Sequence, residues 1–175
     1  MYYGIIDISK VVIIMRLKKI TAKNGKYAVL GNHDYEPEGL IKHILEQSNF
    51  IVLEDEFLNL EKNVTLYGVK DLWVHGNDKS KLNSINKNLT ILLSHNPDIF
   101  SSSKTFAKLT IAGHTHGGEV YFPIIGAPYV PSKYKNRYRK GIIKEDNKIL
   151  FVSSGIATLS GFRLFNIPEI AVLKF

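Results

Sequence analysis

The sequence predicts an α/β fold. Short apolar runs of strand length recur between loops along the whole chain. One segment, EGLIKHILEQS (38–48), switches to helical spacing. Three strands run directly into loops that carry Asn and His, and in α/β sheets functional groups gather beyond the carboxyl ends of strands.

The elements follow in order. MYYGIIDISKVVIIM (1–15) is apolar but interrupted by Asp7 and Lys10, and reads as a strand or a packed terminal segment. It is too short and too charged for a membrane span, and it has no basic leader and no small-residue cleavage site. KYAVL (26–30) is a strand that stops at Gly31. In 38–48 the apolar residues Leu40, Ile41, Ile44 and Leu45 share a helical face. EFLNLEKNVTLYGV (56–69) reads as a hairpin turning near Lys62 and Asn63. LTILLS (89–94) is a strand, and PDIFSSSKTF (97–106) suits a short helix with Pro97 in its first turn. KLTIAG (108–113) is a strand, GIIKEDNKILFVSSG (141–155) a second hairpin turning at Glu145, Asp146 and Asn147, and IPEIAVLKF (167–175) a closing strand. No repeat, linker or boundary divides residues 1–175, so they read as one domain.

Composition narrows the chemistry. There is no cysteine, which excludes disulfides and thiolate metal sites, so any metal must be held by nitrogen and oxygen. The net charge of +7 is mostly lysine. It reads either as compositional bias or as attraction to phosphates or an anionic membrane surface.

The loops carry the functional signal. KYAVL runs into Gly31-Asn32-His33-Asp34, LTILLS into His95-Asn96-Pro97, and KLTIA into Gly113-His114-Thr115-His116. Imidazole nitrogen, amide oxygen and carboxylate suit manganese, iron or zinc. Two histidines two apart point the same way on a strand, but in a loop they can serve two neighbouring ions. Gly113, Gly117 and Gly118 permit tight backbone geometry around them.

In this order GNHD (31–34), SHNPD (94–98) and GHTHGGEV (113–120) resemble the calcineurin-like metallophosphoesterases. YAVLGNHDY (27–35), YGVKDLW (67–73), LLSHNPD (92–98), YVPSKYKNRYRKG (129–141) and FRLFNIPEI (162–170) are similar to a bacterial subgroup that often acts at membranes. The resemblance covers about residues 16–175. It implies two packed mixed β-sheets flanked by helices, and hydrolysis of phosphate esters or pyrophosphates with divalent metal. Asn32, His95 and His114 would bind one ion and His116 the other. His33 would stand at the phosphate as acid or charge stabiliser, oriented by Asp34. Arg137, Arg139 and Arg163 would bind an anionic substrate that is a small phosphorylated molecule or lipid-linked. Glu119 stands where the subgroup usually has glutamine, and no role is attached to it.

The family begins with Asp-x-His and Gly-Asp segments, and the 30 residues before Gly31 hold no histidine and one carboxylate, Asp7. The resemblance is thus to an N-terminally shortened member lacking the first strands. Two ions are expected in the family and one or none here, with weak or lost hydrolysis. The competing reading is a non-catalytic metal-binding or interaction remnant of the same fold. A nucleic-acid binder, suggested by Tyr134 and Tyr138 among basic residues in SKYKNRYRKG (132–141), ranks third. The open sheet edge implies either a homo-oligomer or residues 1–15 folded over it. The expected location is the cytoplasm, with peripheral membrane contact allowed. Away from the loops, His43 is expected on a solvated helical position, His75 in a loop, and Asp71 as a loop-stabilising carboxylate.

Overall fold

A computed structural model describes residues 8–35, 39–60, 64–76, 89–102 and 107–174. Asp7, the turn at Lys62 and Asn63, and residues 103–106 of the expected helix lie outside them. The chain runs α1 (Ile8–Lys18), β1 (Tyr27–Ala28), α2 (Leu40–Gln47), β2 (Ile51–Val52), β3 (Glu56–Leu60), β4 (Val64–Gly68), α3 (Leu72–His75), β5 (Leu89–Leu93), α4 (Ile99–Ser102) and β6 (Leu109–Ala112). A 3-10 turn (Lys135–Tyr138), β7 (Gly141–Glu145) and β8 (Lys148–Val152) complete it.

The fold is α/β with two sheets, as the sequence predicts. The larger is six-stranded and mixed, in the order β3-β4-β5-β6-β8-β7; the smaller pairs β1 with β2 in parallel. Strands β4, β5, β6 and β8 are mutually parallel, while β3 and β7 add antiparallel edges. The parallel strands are apolar on both faces, because both faces are covered. Tyr67, Leu92, Leu150 and Val152 point to one side, where Ile99 and Phe100 of α4 and Tyr138 of the 3-10 turn pack on them. Leu66, Ile91 and Ile111 point to the other, against Tyr27, Val29 and Leu53 from the smaller sheet and its flanks. That second contact is close. A Cβ on Gly68 would lie 2.2 Å from Leu53 Cβ and 3.0 Å from Val29 Cγ1, so only glycine lets the layers meet there.

The termini differ from strands. The described part of the first segment, from Ile8, is a helix, which excludes the strand and agrees with the alternative of a packed terminal segment. Its last turn carries Arg16 and Lys18, which suit the negative helix end, and Lys26 Nζ donates to the carbonyl of Leu17 at 3.3 Å and to that of Ser48, just past α2, at 2.6 Å. The helix packs against α2. The described part of the expected closing strand, 167–174, pairs with nothing as a ladder. Pro168 has no N–H to give, and the segment is tied instead by Glu169, whose Oε1 accepts from Ser154 N at 2.9 Å and whose Oε2 pairs with Lys140 at 2.8 Å. His75 ends the one-turn α3 instead of lying in a loop. Asp71 caps that turn, its Oδ1 accepting from Trp73 N at 2.8 Å and Val74 N at 3.2 Å. His43 is exposed on α2.

Gly68→Ala is expected to cost about 1–3 kcal/mol, because the added methyl overpacks the contact between the sheets. The midpoint of urea unfolding reads this directly. An unchanged midpoint would mean that the two layers are less closely packed than described.

Candidate metal centre

The site is assembled at the carboxyl ends of parallel strands. Beyond β5 and β6 the ladder continues into the loops: Ser94 N donates to Ile111 O and Gly113 N to His95 O, each at 3.0 Å. These bonds fix the backbone of the two His-bearing loops side by side. Gly31, beyond β1, brings Asn32 onto them, and a Cβ on Gly31 would stand 2.6 Å from the His95 ring.

Three predicted residues converge. His95 Nε2 lies 3.0 Å from Asn32 Oδ1 and 2.9 Å from His114 Nδ1. The His95 and His114 rings meet edge to face at 4.7 Å, and Trp73 packs edge-on to His114 at 4.3 Å. One ring nitrogen cannot satisfy both neighbours. If His95 Nε2 carries a hydrogen it can be donated to Asn32; if it does not, it faces the Asn32 oxygen lone pair to lone pair. Among the described residues His114 Nε2 is buried with no hydrogen bond of good geometry, and the Pro131 backbone acts on the ring only as the weakest of its neighbours. Such crowding of acceptors suits a cation. Ligands about 2.0–2.1 Å from a metal stand about 3 Å apart when adjacent, which is the spacing found here.

Electrostatics agree with donors that keep their lone pairs. Burial, followed by the neighbouring imidazoles His95, His116 and His33, holds His114 down at about 3. Burial also lowers His95. Both rings are therefore neutral at neutral pH.

His116 is brought to the same cleft but held differently. Its Nδ1–H donates to Ala157 O at 3.0 Å. The loop geometry explains how two histidines one residue apart are held differently: His114 and His116 take φ of 67° and 50°, left-handed values that are uncommon outside glycine. Gly117 and Gly118 continue them at 66° and 61°. The strained turn is pinned from below. Buried Thr115 donates its hydroxyl to Arg139 O at 2.6 Å, and Asn166 Nδ2 donates to His116 O at 2.6 Å.

His33 and Asp34 also line the cleft, which has a volume of about 500 Å³. His33 is exposed. Asp34 accepts from Gly31 N at 2.7 Å, closing the GNHD turn, so its hydrogen bond goes to the backbone rather than to His33. Arg137, Arg139 and Arg163 do not line it. Arg137 pairs with Glu145 at 2.7 Å; Arg139 donates to Gly117 O and lies over the Tyr121 ring at 4.0 Å; Arg163 donates to the carbonyls of Ser154 and Ala157. Tyr138 is fully buried, and its hydroxyl donates to Glu145 Oε2 at 3.0 Å, so its ring offers no face to a nucleobase. Among the described residues no set of three His, Cys, Asp or Glu side chains gathers as a metal site; the cluster found needs Asn32.

Several contributors escaped sequence reasoning. Trp73, Tyr129 and Ala157–Leu159 line the cleft, and Glu119 holds the last of these segments: its carboxylate accepts from Leu159 N, and from Ser160 N at 3.2 Å and Ser160 Oγ at 2.6 Å. The marker at position 119 was visible in sequence, but its partner loop forty residues away was not.

Similarity to known proteins points the same way. No family model matches the sequence. The phosphodiesterase YaeI of Escherichia coli is 31% identical over 160 residues, covering 85% of this chain and 57% of its own. The uncharacterized metallophosphoesterase YkuE of Bacillus subtilis is 28% identical, with coverage of 91% and 59%. The chain belongs to the metallophosphoesterase family. This metallophosphoesterase chain is also 24% identical to the UDP-2,3-diacylglucosamine pyrophosphatase LpxG of Chlamydia muridarum, covering 79% of this chain and 45% of LpxG. It spans between 57% and 63% of the length of four curated relatives, YaeI and YkuE among them.

The neutral His114 makes metal-free protein acid-sensitive. Its folded value of about 3 lies below the ordinary 6.5, so the unfolded chain takes up the proton first. Stability from this group is present above about pH 6.5 and is lost as pH falls toward 3, with a loss of about 2 kcal/mol at pH 5. Thermal melts in chelator between about pH 7 and pH 5 should fall less steeply for His114→Asn than for wild type. Parallel curves would contradict a buried neutral His114.

Proposed function

We propose that the chain hydrolyses phosphate diesters or pyrophosphates with a divalent ion held by Asn32, His95 and His114. The observation that carries this reading is the meeting of Asn32 Oδ1 and His114 Nδ1 at His95 Nε2, within 3.0 Å and 2.9 Å. When bound, the ion supplies Lewis acidity toward the phosphoryl oxygens. The residues supply the rest. Gly31 and Asp34 hold the loop that presents His33 at the cleft, where it gives a proton to the bridging oxygen that departs as a water oxygen bonds to phosphorus. Arg163 and Glu119 hold the 157–160 segment. Its Ala157 carbonyl accepts from His116 Nδ1–H and so orients the ring.

The diester in the name of the Escherichia coli relative and the pyrophosphate in that of the chlamydial one share a single bond type, phosphorus to a bridging oxygen. That shared chemistry is the substrate class proposed here. One ion per chain is the proposed stoichiometry, because only one donor cluster is assembled among the described residues.

Calorimetric titration of manganese into chelator-stripped protein, paired with turnover of bis(p-nitrophenyl) phosphate, tests the reading. One ion per chain is expected, with affinity at least about tenfold lower in His114→Ala, and turnover abolished by chelator. The fold of the variant should survive, since His114 sits in a loop at a strand end. Equal metal affinity in both proteins, or turnover that persists in chelator, would overturn it.

A further inference from the structure

Beside the cleft the chain builds a small apolar projection. Phe122 and Gly126 exchange backbone hydrogen bonds at 3.0 Å and 2.7 Å, closing a turn over Pro123, Ile124 and Ile125. Ile124 is 98% exposed and Ile125 80% exposed, and neighbouring Tyr129 is 72% exposed. Single exposed apolar residues are ordinary on a soluble protein, but two consecutive isoleucines at the tip of a hydrogen-bonded turn are a projecting apolar feature.

The turn is held stiffly. Ala127 N donates to Asn136 Oδ1, and Asn136 Nδ2 donates back to Ala127 O, each at 2.9 Å. Gly126 takes φ 87°, which suits glycine, and a Cβ there would press on Asn136 at 3.0 Å. On the other strand, Tyr121 N donates to Leu164 O at 3.0 Å and its ring lies beneath Arg139. The apolar tip is thus presented at little further entropic cost.

The same clamp ties the tip to positive charge. Asn136 lies between exposed Lys135 and Arg137, with exposed Lys133 close by. Arg137 is paired with Glu145, but among the described residues neither Lys133 nor Lys135 enters an ion pair. Residues 118–141 hold five basic side chains and one acidic one, Glu119, whose carboxylate is already engaged by Leu159 and Ser160. An apolar tip, an exposed tyrosine and lysines at the base together form the pattern that partitions into an anionic lipid interface. The surface also adjoins the cleft. Tyr129 and Leu159 line both the cleft and an apolar annex of about 350 Å³ walled by Val120 and Pro128.

We propose that the 122–126 turn with Lys133 and Lys135 docks the protein on an anionic lipid surface, with the cleft mouth beside the bilayer. Ile124 and Ile125 enter the interface, and the lysines face the headgroups. This binding does not require hydrolysis, so it stands or falls separately from the proposed activity.

Co-sedimentation of the full chain with vesicles tests it, using phosphatidylcholine alone and phosphatidylcholine with phosphatidylserine at 3:1. Wild type should bind the anionic vesicles more strongly, and salt should weaken the binding. Ile124→Glu with Ile125→Glu should lower partitioning at least about tenfold. Lys133→Glu with Lys135→Glu should lower it on anionic vesicles by about fivefold per lysine and leave neutral vesicles unaffected. Both variants change exposed side chains, so unchanged circular dichroism and melting are expected. Equal binding of wild type and variants, or no preference for anionic vesicles, would overturn the proposal. So would a dimer in light scattering that the isoleucine variant dissociates, since the turn would then face a second copy of the chain.

Discussion

Asn32 Oδ1, His95 Nε2 and His114 Nδ1 crowd three acceptor-bearing groups within about one hydrogen-bond length, and beside them His114 Nε2 is buried without a well-formed hydrogen bond among the described residues. A poorly satisfied buried nitrogen is costly, up to about 1–3 kcal/mol when it has no partner at all. The chain does not relieve that cost by opening the loops. It spends further strain on holding them, with two histidines in left-handed backbone and a glycine where any side chain would strike His95. Nearly every feature near the strand ends serves this crowding: the ladder bonds that carry His95 and Gly113 side by side, Thr115 buried under its turn, and Asn166 gripping the His116 carbonyl.

The sheet makes the crowding possible. Four parallel strands deliver their following loops to one edge, and covering both faces keeps the ends of β5 and β6 in fixed register. A neutral, desolvated cluster then follows, from burial first and, at His114, from the neighbouring imidazoles as well. An electropositive ion is the group that such a cluster best accepts, and the family to which the chain belongs is named for metal-dependent ester chemistry.

Much of this was legible in the sequence, because strand ends and loop chemistry are local. The runs KYAVL, LTILLS and KLTIA each become a strand that delivers Asn32, His95 or His114, and the helix over 38–48 and both described hairpin pairs follow from spacing. Long-range decisions were not legible. The segment 167–174 is apolar enough for a strand, yet Glu169 and Lys140 tie it to a loop instead. The first segment has β-branched residues and its described part still forms a helix, whose last turn Lys26 meets from outside the segment. The arginines of 137, 139 and 163 look like anion binders in sequence; in the fold Arg137 pairs with Glu145, and Arg139 and one nitrogen of Arg163 donate to backbone carbonyls. Charge can be read from a sequence, but the partner that claims it cannot.

Anomalous diffraction from crystals soaked in manganese tests the central claim most directly. The account predicts one peak within bonding distance of Asn32 Oδ1, His95 Nε2 and His114 Nδ1. Ordered manganese elsewhere, with these three atoms still in mutual contact, would contradict it.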